Sequence, residues 1–300
     1  MRVNIDGALR TVVYGHPCSV HIDPMEKKPL FHFLPGTNIL SIATVGCNLH
    51  CRNCQNWEIS QANPEDSPAH ILSPERLVEL TIKQHCLSLA YTYTDPVIFY
   101  EYTYDTAKLA RRAGIRNALV TAGYINEKPW KRLLEYVDAA NIDLKGMTED
   151  FYRQVCSGTL KPVQEALVAA KASGILVEVT NLIIPTLNDE PEQIRKLCRW
   201  VESNLGAETP LHFSRFIPRY KMRHLPATSP KTLDTAREIA MSEGLDYVYI
   251  GNIQSKAGQN TYCPECGRLL IERSGYTILQ NRLKEGRCSD CGREIYGVWK

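Results

Sequence analysis

The sequence predicts an α/β fold in which about six βα units stack in order into a partial (β/α)6, TIM-like barrel, followed by a small cysteine-rich module. Three observations lead there. From Asn38 to about residue 253, apolar runs alternate with amphipathic helical patterns, the sign of a parallel sheet with crossover helices. The first run ends in GCNLHCRNCQNW, residues 46–57, where an open dinucleotide-binding sheet would carry a Gly-x-Gly-x-x-Gly turn. The chain then finishes on YCPECG and RCSDCG, two CxxC knuckles each followed by glycine.

The first strand is NILSIATV, from Asn38 into the cysteine loop. Ser73 and Pro74 supply an N-cap and a first-turn proline for a helix through about His85. SLAYTY, from Ser88, gives the second strand, and a helix follows through about Arg112. RNALVTAG is the third strand, Pro129 opens the next helix, and AANIDL, residues 139–144, is the fourth strand. A helix from about Lys161 carries Val163, Ala166, Leu167 and Ala170 on one face and stops at Gly174. ILVEVTNLIIP is the fifth strand; the next helix aligns Ile194, Leu197, Cys198 and Val201 and ends near Gly206. LHFSRFIP is the sixth, before a helix around Leu233, Ala236, Ile239 and Ala240 that stops at Gly244. A last run, YVYIGNI, is available as a seventh strand.

With 300 residues and 44% hydrophobic content the chain can bury a full core. The expected division is an irregular N-terminal segment packed on the core at 1–38, the barrel at 39–256 and the four-cysteine module at 257–300. Within the first segment, HIDPMEKKPLFHFLPG (His21–Gly36) reads as turn-rich because of its prolines and closing Pro-Gly. It is either a packing apron or a segment that brings His21, Asp23, Glu26, Lys27, Lys28 and His32 to the cluster mouth. A net charge of +2 and the absence of basic blocks argue against a nucleic-acid footprint. Lacking an apolar leader core and any membrane-length run, the sequence reads as cytoplasmic.

Of eleven cysteines, seven fall into two metal-like groups, while Cys18, Cys86, Cys156 and Cys198 read as buried free thiols. Cys47, Cys51 and Cys54 stand at CxxxCxxC spacing, so three thiolates can hold a cubane iron–sulfur cluster and leave one iron open. The competing assignment is a three-cysteine zinc site completed by His50, whose spacing suits zinc poorly. Cys263, Cys266, Cys288 and Cys291 fit a tetrahedral zinc ribbon, with a rubredoxin-like iron site as competitor. Polar groups cluster at strand ends: Asp95 after the second strand, Asp143 and Lys145 after the fourth, Asn181 in the fifth, and His212, Ser214 and Arg215 in the sixth.

Through DPMEKKPLFHFLPG, GCNLHCRNCQNWEIS, YTYTDP, IDLKG, NLIIP and the terminal ribbon, nearly the whole chain resembles the pyruvate formate-lyase activase branch of the radical S-adenosylmethionine (SAM) superfamily, most closely the radical SAM member of the AmmeMemoRadiSam system. The resemblance implies a [4Fe-4S] cluster on Cys47, Cys51 and Cys54, reductive cleavage of SAM, and a 5′-deoxyadenosyl radical that abstracts hydrogen. Tyr93, Thr94 and Asp95 would replace the Gly-Gly-Glu turn that holds the SAM amine, Asp95 being one methylene short. Asn53 stands where an aromatic residue usually faces adenine. Asp143, Lys145, Asn181 and His212 would be further SAM contacts, and no residue is singled out as catalytic. The implied partners are a reductant such as flavodoxin or ferredoxin, a protein or small-molecule substrate, and Memo-like and AMMECR-type proteins. A glycyl-radical activase, an enzyme acting on a metabolite, and a non-catalytic metal-binding adaptor all stand as functions.

Overall fold

In the computed structural model, which describes residues 1–300 except 69, 256 and 257, the alternating runs form one eight-stranded sheet. Strands β1 (Arg2–Ile5) and β2 (Ala8–Thr11) make a separate hairpin, and β3 (Ser19–Pro24) joins the main sheet antiparallel to β4 (Asn38–Ala43). From β4 the sheet continues in parallel through β5 (Ser88–Tyr91), β6 (Arg116–Thr121), β7 (Ala139–Asp143), β8 (Leu176–Ile183), β9 (Leu211–Arg215) and β10 (Val248–Gly251). YVYIGNI therefore supplies a strand beyond the six expected. Strand order follows chain order without reversal, unlike a doubly wound sheet.

Two helical pieces are short, α1 (Trp57–Ser60) and α5 (Glu149–Phe151). The longer ones are α2 (Pro74–Lys83), α3 (Tyr100–Arg112), α4 (Glu127–Leu134), α6 (Lys161–Ala172), α7 (Pro191–Leu205) and α8 (Pro230–Ser242). Ser73 Oγ accepts the Arg76 amide at 3.3 Å and Ser229 Oγ the Thr232 amide at 3.0 Å, each followed by a first-turn proline. Helix α4 begins two residues before Pro129, which sits in the first turn where its missing N–H leaves no bond unmade.

The N-terminal segment departs from the irregular reading of residues 1–38. Three strands lie in it, and β3 is possible because it is an edge strand whose proline comes last, where no ladder donor is required. Residues 261–281 carry β11 (Thr261–Tyr262), β12 (Leu269–Ser274) and β13 (Thr277–Asn281), an antiparallel sheet of the C-terminal module. The expected boundary at 256/257 lies outside the described residues.

Strand alternation separates two cores. Leu40, Ile42, Leu89, Tyr91, Leu119, Ile142, Val179 and Phe213 face the helices. Their neighbours Ile39, Ala90, Ala118, Ala139 and Leu176 face Met25, Leu30, Phe33 and Leu34 of the N-terminal segment. Three alanines at adjacent strands leave room on that face for large side chains from outside the sheet. We expect Ala118→Leu to overfill this layer and lower stability by about 1–3 kcal/mol. Exposed Val168→Ala should leave the thermal unfolding midpoint nearly unchanged; equal midpoints for the two variants would contradict this packing.

Candidate functional site

A cavity of about 310 Å³ opens at the carboxyl ends of the parallel strands. The chain leaves β4 through Gly46, whose φ of +94° favours glycine and whose open side is filled by Met1. Backbone bonds then fasten the cysteine loop: Gly46 N donates to Ile59 O at 2.9 Å, His50 N to Cys156 O at 3.1 Å and Arg52 N to Val155 O at 2.8 Å. The last two carbonyls belong to a π-helical turn, Tyr152–Cys156, of a type frequent at functional sites.

Cys47, Cys51 and Cys54 all line this cavity. Their sulfurs do not form a set mutually within 4.8 Å, whereas the four C-terminal cysteines do. A single tetrahedral zinc with bonds of about 2.3 Å would need sulfurs about 3.8 Å apart. Thiolates that each take a different iron of a cubane stand wider, so the triad fits a cluster better than one ion. His50 is turned out of the site: its exposed ring bonds Gln61 Oε1 at 2.7 Å. Leu49 N donates to Cys47 Sγ at 3.4 Å, and Cys54 Sγ and Ser60 Oγ share a hydrogen bond at 3.2 Å. The neighbouring Cys156 thiol outweighs burial and lowers the Cys51 thiol pKa below its ordinary value. The sequence offered no sign of this contact, because Cys156 lies in a different loop.

Tyr93, Thr94, Asp95, Asp143 and Lys145 line the same cavity, as do Asn53, Lys27 and Lys28. Lys145 Nζ donates to Asp143 Oδ2 at 2.6 Å. Burial opposes the Lys145 charge, but Asp143 and the nearby cysteine sulfurs hold its pKa well above the usual range. Asp95 is buried, and both carboxylate oxygens accept bonds within the protein: Thr121 Oγ1 at 2.9 Å, Val97 N at 3.0 Å and Ala122 N at 2.8 Å. It therefore ties the β5 loop to the end of β6. Asn53 Oδ1 is buried and has no hydrogen-bond partner among the described residues.

Two expected site residues lie elsewhere. Asn181 Nδ2 donates to Leu144 O at 2.7 Å, and the residue does not line the cavity. His212 lines a neighbouring cavity instead. Strand alternation accounts for Asn181, which pairs with Phe213 on the helix-facing side; His212 pairs with Thr180 on the cavity side but sits two residues deeper in its strand than Ser214, which does line the cavity.

Tyr93 has φ +65°, a left-handed conformation costly for a bulky residue. Its hydroxyl donates to Asp23 Oδ2, Lys28 Nζ stands 4.2 Å above its ring centroid, and Asn56 Nδ2 donates to its carbonyl at 2.8 Å. Lys28 Nζ also donates to Asp23 Oδ2 at 2.6 Å, with both side chains almost wholly buried. Burial lowers the Lys28 pKa to about 8 against the pull of Asp23. Thus part of His21–Gly36 reaches the mouth, while Met25, Leu30 and Phe33 serve as packing.

In the C-terminal module, Cys263 and Cys291 sulfurs are 3.5 Å apart and those of Cys266 and Cys288 3.7 Å. Gly267 N donates to Cys263 O at 2.9 Å and Gly292 N to Cys288 O at 3.0 Å, giving two equivalent knuckles. Both glycines have positive φ, +71° and +76°. The spacing fits one tetrahedral ion.

The sequence profile of the Radical SAM superfamily matches residues 41–200. An uncharacterized protein of Methanocaldococcus jannaschii is 50% identical over 296 residues, 98% of this chain and 88% of that protein. The pyruvate formate-lyase-activating enzyme of Clostridium pasteurianum is 25% identical over 166 residues, 54% of this chain and 69% of the enzyme. Among solved structures, Streptococcus suis SuiB bound to precursor peptide SuiA shares the fold, with TM-score 0.56 at 12% identity over 76% of this chain and 51% of that one.

The Asp23 network makes a pH prediction. Burial would raise the Asp23 pKa, but bonds from Lys27, Lys28 and Tyr93 outweigh it and hold the carboxyl well below the carboxylate range. Such a group contributes stability that is fully present above its unfolded value near 3.9 and lost as pH falls through the folded value. Asp23→Asn, which strands a buried Lys28, should therefore cost about 3–5 kcal/mol at neutral pH. Denaturant titrations should show that gap narrowing below about pH 4; a pH-independent gap would refute the assignment.

Proposed function

The chain belongs to the radical SAM superfamily, and we propose that it holds a [4Fe-4S] cluster on Cys47, Cys51 and Cys54 and cleaves SAM reductively to start hydrogen abstraction from a substrate. The observation that carries this reading is the single cavity in which three thiols too dispersed for one ion meet the Asp143–Lys145 pair. When bound, the cluster and SAM supply the electron transfer and hydrogen-atom chemistry. The protein's residues position and enclose. Lys145 offers a fixed positive charge to the SAM carboxylate, Asp143 an acceptor to the ribose, and the unpartnered Asn53 Oδ1 an acceptor to the adenine amine. Tyr93 and Thr94 shape the wall, and Asp95 acts through the loop it ties rather than with a free oxygen.

In this reading the sequential, helix-backed sheet is a partial barrel of the TIM-like kind, and residues beyond about 257 form a ribbon around zinc, or iron in its place. We place the protein in the AmmeMemoRadiSam group and in the cytoplasm, served by a flavodoxin or ferredoxin and accompanied by Memo-like and AMMECR-type proteins. The likeness to an activating enzyme at 25% identity favours a second reading, hydrogen abstraction from a glycine of a partner protein.

Anaerobic reconstitution with iron and sulfide, followed by reduction with SAM, should yield 5′-deoxyadenosine from wild type and none from Cys51→Ala. An intact cluster that binds SAM without cleaving it would sink the catalytic reading in favour of an adaptor. Asp143→Ala should weaken SAM binding by about tenfold with the cluster absorbance unchanged; undiminished affinity would remove Asp143 from the site. Elemental analysis of the purified protein should find one zinc per chain, or one iron beyond the four of the cluster, that Cys266→Ser and Cys291→Ser together abolish while the cluster still assembles.

A further inference from the structure

A second cavity, of about 300 Å³, adjoins the cluster cavity and shares Lys27, Thr180, Ser214 and Asn252 with it. Its walls come from three parts of the chain: the ends of β8, β9 and β10, the N-terminal segment around Phe31, and the turn at Gly275 and Tyr276 between β12 and β13. That volume is at the lower end of the range for small-molecule sites.

His212 lines this cavity and is almost fully buried. Its Nε2 meets Glu178 Oε2 at 2.6 Å, and Glu178 Oε1 accepts the His32 amide at 2.7 Å. Burial raises the Glu178 pKa, but the His212 bond outweighs it and the net shift is downward, so the carboxylate is ionised. An ionised carboxylate can only accept, so Nε2 carries a hydrogen. The other ring nitrogen, Nδ1, has no hydrogen-bond partner among the described residues. Glu26 also lines the cavity; its side chain is fully buried, and its Oε2 has no hydrogen-bond partner among the described residues. A buried carboxylate oxygen without a partner, such as Glu26 Oε2, is costly unless a donor reaches it. Around Glu26 and His212 stand the hydroxyl of Ser214, the amides of Asn252 and Gln259, and the apolar surfaces of Phe31 and Ile250.

We propose that this second cavity is the substrate site, and that it takes a small polyhydroxylated metabolite, with one hydroxyl hydrogen-bonded to His212 Nδ1 and another donating to Glu26 Oε2. The proposal rests on the radical SAM reading of the adjoining cavity and narrows its substrate from a protein glycine to a polyol. Glu178 is a positioning residue that fixes the orientation of the His212 ring through Nε2.

The test uses full-length reconstituted protein and equilibrium dialysis with radiolabelled glycerol, D-ribose and D-glucose, with SAM retention measured in parallel. Saturable retention of at least one polyol is expected, weakened about tenfold or more by His212→Phe. Because that change leaves Glu178 buried without its partner, a second variant fills the cavity without touching the dyad. A Cβ at Gly251 would lie 3.7 Å from its nearest neighbour, Ser214 Oγ, so Gly251→Leu fits the backbone and projects into the space. Gly251→Leu should abolish polyol retention while SAM retention stays at the wild-type level. No retention of any polyol by a protein that retains SAM overturns the proposal, as does polyol retention indifferent to Gly251→Leu. A short glycine-centred peptide retained in place of polyols, and lost in Gly251→Leu, also overturns it and returns the site to a protein substrate. Failure of SAM itself to bind refutes the cluster-site reading and leaves the polyol result to be judged separately.

Discussion

The structure depends on filling the face of the sheet that carries no helices. Ala90, Ala118 and Ala139 make that face shallow, and Met25, Leu30, Phe33 and Leu34 occupy the space they leave. Burying four such side chains contributes on the order of 1.5–3 kcal/mol each. The fill also joins the two ends of the chain. Leu34 N donates to Val298 O at 2.7 Å, Val298 N donates to His32 O at 2.7 Å, and Arg273 Nη2 donates to Phe31 O at 2.8 Å. Because the interior below is occupied, strand-end side chains gather above it, where Cys47, Asp95, Asp143 and Lys145 line one cavity.

Between the apolar fill and the cavity runs a buried polar layer. Glu178 binds His212 and the His32 amide, His32 Nε2 meets the Tyr249 hydroxyl at 2.7 Å, and Tyr249 meets Thr261 Oγ1 at 2.8 Å. Burial lowers the His32 pKa to about 4, so its ring is neutral there. Arg273 stacks against Phe31 at 4.4 Å and donates to Thr261 Oγ1 at 2.8 Å. In such a layer each unpaired polar atom is expensive, which restricts the strand register and the seating of the C-terminal module to one arrangement. The same layer supplies the histidine at the second cavity, so packing and site are made from one set of residues.

Much of this was legible in the sequence because it follows from local rules. Alternation marks every parallel strand, Ser73 and Ser229 mark helix starts, and CxxC spacing marks the module. What remained hidden depends on contacts between distant segments. HIDP reads as turn-forming, yet edge pairing with β4 draws it into a strand. Glu178 lies in an apolar run and gives no local hint that His212, on the adjacent strand, will bond it. Cys156 looked like any buried thiol until the fold set it beside Cys51. Asn181 was grouped with the strand-end residues because spacing alone does not tell which side of the pleat a side chain takes, and His212 because spacing does not tell how far below the mouth it sits.

Tyr93 connects these two kinds of information. Its loop takes the place of a glycine-rich turn in the resemblance, and its φ of +65° keeps a glycine-like backbone on a bulky residue. That conformation costs about 1–3 kcal/mol and persists only when surrounding contacts over-determine it. Asp23 and Lys28 provide those contacts from the N-terminal segment, through the phenol oxygen and the ring face. The Asn56 bond to its carbonyl holds the other side of the residue against the cysteine loop. A departure from glycine in one loop is thus matched by an acidic and a basic residue in another. The segment that fills the sheet below therefore also determines the shape of the cavity wall above.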